Sequence, residues 1–418
     1  MSTTTPHTQT AYKDTPIGKI PADWEVKRLG ELGIFSKGKG ILKDQVKEKG
    51  LPCIRYGEIY TSYDYVAQEF KSFIDEDVAK ASKEINKGDV LFAGSGETVD
   101  EIGKSVAYLG ELKAYAGGDV IVYSPNQDLV SSECLSYTLD LNSVRRQKRY
   151  MGQGNSVVHI YPSDLAKLQV PLPPLPEQKR IAEVLSTWDK AIQLTEQLIR
   201  QKEQRKKWLM QNLLTGKMRL KGFSGEWEEM KIGEIGEVQT GNTPSKQVQE
   251  NWGGEFNWCT ADDMKNKYIE NTIQKLSQQG WKQARKVPAG SVLVTCIASI
   301  GINAITKVET GFNQQINSIT PFKNYNVEFV YYLINLSRNK LLEYAGAGAL
   351  PMLNKNTFMG IKLKFPEFEE QTAIAEVLQT ADKEIELLKA KSEKLKEQKK
   401  GLMQQLLTGR MRLVNKLN

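Results

Sequence analysis

Chemistry needs particular side chains at particular spacings, and this sequence offers few places to look for them. Gly94-Ser95-Gly96 followed by Gly103-Lys104-Ser105 superficially resembles a phosphate-binding loop. Such a loop has four residues between its glycine anchors, whereas six stand between Gly96 and Gly103, so nucleotide binding is not expected there. Glu25-Val26-Lys27 supplies the E-x-K half of a nuclease motif, but Asp23 lies too near to be the separate metal-binding acid, and a surface strand explains the segment better. Of the two histidines, His7 sits in a polar N-terminal stretch and His159, in VVHIYP, reads as a strand residue, so there is no histidine-based general-base constellation. Cys53, Cys134, Cys259 and Cys296 lie far apart with no CxxC pair, which points to neither a zinc site nor a disulfide framework. A glycine-rich dinucleotide fingerprint and the NPPY-type tetrapeptide of amino-methyltransferases are also missing. The chain reads as non-catalytic, with no metal and no cofactor of its own.

The elements that would position a functional group are clearer, because part of the chain is written twice. Gln178 to Leu220 (QKRIAEVLSTWDKAIQLTEQLIRQKEQRKKWLMQNLLTGKMRL) and Gln371 to Leu413 (QTAIAEVLQTADKEIELLKAKSEKLKEQKKGLMQQLLTGRMRL) align without a gap, with about 23 identities in about 43 positions. An internal repeat has to be settled first, because it fixes the architecture. Both copies carry apolar residues in alternating steps of four and three. In the first these are Ile181, Leu185, Trp188, Ile192, Ile199, Leu209 and Leu213; in the second, Ile374, Leu378, Ile385, Leu388, Leu395, Leu402 and Leu406. That 3.5-residue period is a coiled-coil seam, interrupted by Lys202, Lys206, Ser392 and Lys399. Pro176 and Pro366 mark the starts, Glu177, Glu369 and Glu370 put acid in the first turns, and Gly216 and Gly409 supply the stops. Each copy reads as a helix of roughly 55 Å at about 1.5 Å per residue. Two matching stripes bury most economically against each other, and a pseudo-twofold relation between the copies would make the pair antiparallel.

Each repeat follows a segment of mixed composition, and the two segments are weakly related. Trp24-Glu25-Val26-Lys27-Arg28-Leu29-Gly30-Glu31-Leu32-Gly33 matches Trp227-Glu228-Glu229-Met230-Lys231-Ile232-Gly233-Glu234-Ile235-Gly236, Gly88 to Phe92 matches Gly290 to Val294, and Tyr150 to Gly154 matches Tyr344 to Gly348. Runs such as VIVY at 120–123, SVLVTCIASI at 291–300 and INSIT at 316–320 predict strands, and 133–150 predicts a helix. The fold class is therefore α+β: two globular domains separated by two long helices forming an antiparallel coiled coil, with a pseudo-twofold internal repeat. The expected boundaries are a flexible tail at 1–20, domains at 21–175 and 222–365, and helical spacers at 176–221 and 366–418. The 418 residues, 40% hydrophobic and 26% charged, are ordinary for a globular chain of this size. No apolar run is long enough for a membrane span and no secretory leader opens the chain, so a reducing cytoplasm is the expected home. The net charge of +7 is modest, but eight Lys or Arg stand between Arg200 and Lys221 against Glu203 alone, a bias that suits either a solvated face or an anionic partner.

The helix starts LPPLPEQKRIAEVL and FPEFEEQTAIAEVL, the paired ends LLTGKMRL and LLTGRMRL, and the domain openings W-x-x-x-x-[LI]-G-E-[LI]-G resemble the specificity (S) subunit of type I restriction-modification systems, from about Pro21 to Leu413. The resemblance implies two target-recognition domains that each read one half of a split, asymmetric double-stranded DNA site, with the helices setting the spacing. It also implies partners: two modification (M) subunits that bring S-adenosylmethionine, and restriction (R) subunits. Base readers are then expected on divergent loops. The candidates are Ser36, Lys37, Lys39, Arg55, Tyr56, Lys104, Gln153 and Asn155 in the first domain, and Asn242, Thr243, Ser245, Lys246, Asn313, Gln314 and Gln315 in the second. Arg145, Arg146, Lys148 and Arg149 are expected to touch phosphate or face water. The alternative is a protein scaffold that joins partners through its coiled coil and binds no DNA.

Overall fold

The computed structural model describes residues 11–154, 157–346 and 351–413. The chain folds into two compact units, the first assembled from two stretches of sequence and the second from one. The first unit holds Met1–Leu194 with Lys391–Asn418, and the second holds Thr195–Ala390.

In the first unit a five-stranded sheet runs in the order Gly33–Lys37, Val120–Pro125, Val90–Ala93, Ser105–Tyr108, Val66–Ala67. Only the last pairing is parallel. The central strands VLFA and SVAY are buried at every position, as unbroken apolar runs covered on both faces should be. A second, four-stranded sheet runs Ser72–Ile74, Leu51–Ile54, Ala114–Ala116, Lys83–Ile85, with its middle pair parallel. Glu25–Arg28 pairs with Gln169–Leu172, which makes the E-x-K segment a strand of a two-stranded sheet. The second unit repeats this plan strand for strand. Gly236–Thr240, Ile316–Pro321, Val292–Thr295, Asn303–Thr306 and Tyr268–Ile269 form the five-stranded sheet, and Gln274–Leu276, Trp252–Cys259, Thr310–Phe312 and Lys286–Val287 the four-stranded one. The same two strand pairs are parallel.

The repeated segments are helices Leu175–Leu213 and Phe368–Leu407. Both stop where expected: Gly216 and Gly409 each take φ +70°, a left-handed conformation that costs glycine nothing. Gly409 has a second reason to lack a side chain, since a Cβ there would lie 2.3 Å from Pro21 Cγ. Within each unit the two helices run antiparallel. In the first, Asp189 pairs with Lys399 and Glu177 with Arg412; in the second, Glu203 pairs with Lys389, Lys206 with Asp382 and Arg219 with Glu370. As numbers rise along one helix, they fall along the other. Ile181 and Leu185 share the first unit's core with Met403 and Leu406, and Leu213 shares the second unit's core with Ile374 and Leu378. Ile199 and Ile385 are buried, while Trp188, Ile192, Leu209, Leu388, Leu395 and Leu402 are less so.

Three sequence expectations are corrected. Residues 11–20 are not a flexible tail: Tyr12–Thr15 and Gly18–Pro21 form a hairpin, held by the Tyr12 hydroxyl donating to the Gly409 carbonyl (3.0 Å) and by burial of Ile20. Residues 1–10 lie outside the described residues. The segment 133–150 is two helices, Ser132–Thr138 and Asn142–Met151, because Leu141 turns extended between them and buries its side chain. The run 291–300 is strand only over Val292–Thr295. There the chain leaves the sheet into a tight turn in which Ser299 N–H donates to Ile297 C=O (2.8 Å) around Ala298 at φ +60°.

Candidate nucleic-acid interface

In each unit the loops at one end of the five-stranded sheet are stitched into a continuous ridge by backbone hydrogen bonds. In the first unit Gly38 N–H donates to Val120 C=O (2.7 Å), Gly118 to Gly40 (3.1 Å), Gly94 to Asp119 (2.8 Å) and Ile160 to Gly94 (3.0 Å), while Gln153 and His159 bond to each other in both directions. Glycine is required at Gly38 because a Cβ would stand 1.8 Å from the Gly117 carbonyl oxygen. In the second unit Gly241 N–H donates to Ile316 C=O (3.1 Å), Asn242 to Phe312 (2.9 Å), Cys296 to Gln315 (2.8 Å) and Leu353 to Cys296 (2.8 Å). The same four chain segments meet in both, with different side chains on top.

The first ridge gathers part of the candidate set. Lys37 ends the edge strand, exposed, with its ammonium 5.7 Å from the centre of the Tyr161 ring. Lys39 is exposed beside it, and Ser36 is half-buried within the strand. Arg55 caps helix Tyr56–Thr61 and reaches Glu58 (3.4 Å), and Tyr56 is exposed. Gln153 is exposed at the ridge's far side, and Asn155 lies outside the described residues. Lys104 is not brought to the ridge surface: its ammonium donates to the carbonyls of Tyr63 (2.9 Å) and Tyr60 (3.2 Å), and burial lowers its pKa. Arg145, Arg146 and Arg149 stand exposed on helix Asn142–Met151, with Arg149 bound to Asp100 (2.7 Å). Lys148, on the same helix, departs from expectation. It faces neither phosphate nor water but is buried, donating to the Gly103 carbonyl (2.9 Å), and burial pushes its pKa down to about 8. The Ser95 hydroxyl lies 3.0 Å from His159 Nδ1, a polar side-chain pair inside this ridge.

On the second ridge Ser245, Lys246, Gln314 and Gln315 are exposed. Asn313 is buried and accepts from Gln315 N–H (3.0 Å), so it shapes its turn. The amide of Asn242 is likewise spent on backbone: Nδ2 donates to Gln283 C=O (2.8 Å) and Oδ1 accepts from Arg285 N–H (2.6 Å). Thr243 bonds Gln314, tying two loops together.

Sequence reasoning missed the polar contacts that make each repeat dock. Glu177 accepts from Trp24 Nε1 (3.0 Å) and from Arg412 Nε (2.8 Å), while the Arg412 guanidinium lies 5.6 Å from the Trp24 ring centre. Glu370 likewise accepts from Arg219 (2.6 Å), which stands over Trp227, but here the indole N–H makes no bond to the carboxylate. Gln178 clasps Ser131 N–H and the carbonyls of Leu129 and Pro173, and Gln371 does the same with Asn326, Asn324 and Pro366. Asp189 and Asp382 accept from Tyr137 (2.7 Å) and Tyr332 respectively, and those hydroxyls are held far above their ordinary pKa by burial and the neighbouring carboxylate. The signal was present: these are identical polar positions in the two copies. Among the described residues no group of three His, Cys, Asp or Glu could hold a metal ion, and no helix is long and apolar enough to cross a membrane.

Comparison with known proteins agrees with this arrangement. A family model described as type I restriction modification DNA specificity domain matches twice, over residues 21–204 and 224–397. Two specificity subunits from Methanocaldococcus jannaschii are similar along nearly their whole length. That of the type I restriction enzyme MjaVIII is 26% identical, with 95% of each chain covered. That of the putative enzyme MjaX is 28% identical, with 96% of this chain and 97% of the relative covered. Among solved structures, the S subunit of a type I restriction-modification system from M. genitalium aligns with a TM-score of 0.59 at 15% identity, over 92% of this chain and 96% of that one. At that identity the likeness concerns the fold.

Proposed function

The chain belongs to the type I restriction-modification DNA specificity family, and from that membership we propose that it selects the DNA site for a methylating and cleaving complex. The first recognition domain (21–175) reads one half of a bipartite, asymmetric duplex site and the second (222–365) the other. The helical segments 176–221 and 366–418 set the distance between half-sites and dock two modification subunits, which bring S-adenosylmethionine; restriction subunits join that complex. The chain itself performs no chemistry, and any base drawn out of the duplex is received by a partner subunit.

The single observation that carries this reading is the pair of ridges. Two units with one strand order present unlike side chains at the same place, which is what reading two unlike half-sites requires. Exposed Arg145, Arg146 and Arg149 supply cations for phosphate, which gives affinity, while Lys37, Lys39, Gln153, Ser245, Lys246, Gln314 and Gln315 offer hydrogen-bonding groups to base edges, which gives choice.

The test is binding of the assembled complex to duplexes that carry both half-sites, one, or neither. If about 6–10 phosphates are neutralised, affinity for all three falls about 10³–10⁵-fold between about 50 and 200 mM salt, and only the intact pair of half-sites binds tightly. Salt-insensitive binding, or no binding to duplex at all, would favour the protein-scaffold reading. The isolated chain, given DNA, Mg²⁺ and methyl donor, is expected to show no turnover.

A further inference from the structure

Among the described residues, one loop of the second ridge is held by side chains where the matching loop of the first is held by backbone bonds. Loop 241–246 carries two exposed candidates, Ser245 and Lys246, and most of its fixed contacts come from behind. Trp258 Nε1 donates to the Asn242 carbonyl (3.1 Å), and Trp252 Nε1 donates to the Ser245 carbonyl (3.2 Å). Asn251 Nδ2 donates to that same Ser245 carbonyl (3.1 Å), and Gln283 Nε2 holds Asn251 in turn (2.8 Å). Arg285 adds a bond to the Thr240 carbonyl (2.9 Å). An indole nitrogen can only donate, so each tryptophan has a fixed task here. The two rings brace one another edge to face, 4.8 Å between centres at 85°. Trp258 is buried, and Trp252 is half-buried in an open surface hollow that it shares with Lys246, so the inner ring of this clamp is fixed by packing and the outer one adjoins the reader it holds. The corresponding loop of the first unit is fixed by backbone bonds from Gly38, Lys39 and Gly118.

From this geometry we propose that Trp252 and Trp258 are positioning residues for base discrimination at the second half-site. They pull two carbonyls of the loop backward, and Ser245 and Lys246 are thereby presented outward in one fixed conformation. A loop that must be ordered before it can bond base edges loses that free energy from its matched site, whereas a mismatched duplex held through phosphates does not need the loop ordered, so a preshaped loop widens the difference between them. The inference rests on the second domain being a half-site reader.

W252F and W258F keep an aromatic ring and delete the indole N–H. In the assembled complex each variant is compared with wild type on three duplexes: the intact site, a site with one base pair changed in the second half, and a site with one changed in the first half. The variants are expected to lose about tenfold in the preference for the intact second half-site, a sizeable share of what one mismatched base pair is worth. Their preference at the first half-site and their affinity for random duplex should stay within about twofold of wild type. Trp252 is half-buried, so W252F decides the matter alone should W258F fail to melt cooperatively. A wild type that discriminates at both half-sites beside a W252F that discriminates equally well overturns the clamp and leaves half-site reading intact. A wild type that ignores changes in the second half-site overturns both.

Discussion

Lys148 shows how far a residue's job can differ from its type. It stands among Arg145, Arg146 and Arg149, and the sequence offers no reason to separate it from them. Helical geometry does: Lys148 lies one turn from buried Val144, on the inward face, and its ammonium ends on the Gly103 carbonyl. Burial then drops its pKa from about 10.5 to about 8. The unfolded chain therefore binds more protons than the folded one between about pH 8 and 10.5, and stability from this group rises with pH through that window and is lost as pH falls back through 8. K148M removes the titration. Against that variant, wild type is expected to gain about 3 kcal/mol between about pH 7 and about pH 10.5, read from denaturant midpoints across the range. A difference that stays flat, or that shrinks with rising pH, would mean the lysine is solvated.

At the scale of elements, the seam interruptions become the most informative positions. Lys206 and Lys399 occupy the same place in the two copies. Each is an amine packed against tyrosine rings and bound to an aspartate of the facing helix: Lys399 with Asp189 over Tyr65 and Tyr137, Lys206 with Asp382 over Tyr332. Their surroundings differ: Lys399 is buried where Lys206 is a quarter exposed, and, among the described residues, a second cation stands beside only one of the pairs. In the second unit Lys267 lies 3.7 Å from Asp382 and 2.7 Å from Glu328, so a cation remains when Lys206 is removed. K399M leaves Asp189 with Tyr137 as its bonded partner and is expected to cost about 2 kcal/mol, toward the low side for a buried pair because Asp189 is a third exposed. K206M should cost about half that. Equal losses in matched denaturation curves would refute the role given to Lys267. The helices, their ends and the domain openings were legible in sequence because apolar period, capping residues and repetition are local signals. The polar contacts of the seam were not, since a period built on apolar residues registers a buried lysine as a gap. Nor were the ridges, whose strands pair across long separations, as Gly33–Lys37 does with Val120–Pro125. Trp252 and Trp258 stayed hidden for a further reason: their partners are backbone carbonyls, which any sequence supplies.

For the whole molecule, the proposed function makes helix length a measuring device. The first long helix has 39 residues and the second 40, close to about 60 Å each at about 1.5 Å per residue. Four residues inserted after Ile199, matched by four after Ser392, would lengthen both by about 6 Å, close to two steps of about 3.4 Å along a duplex strand. Both insertions are needed, because an insertion in one helix alone obliges the other to slip by a turn or to bulge, and slippage separates charged pairs such as Lys202 with Glu384. Four residues also turn a helix slightly more than one full revolution, so each domain keeps nearly its original facing. The doubly inserted chain, assembled with its modification subunits and offered duplexes that differ only in the gap between half-sites, is therefore expected to prefer a gap one or two base pairs longer than wild type prefers, with the base preferences of each half unchanged. A chimaera with residues 21–175 replaced by another such domain should alter the bases preferred in one half and leave the gap alone. If the inserted chain keeps the original gap, or if the exchange changes both halves, distance and base choice are not held in separate parts of this molecule.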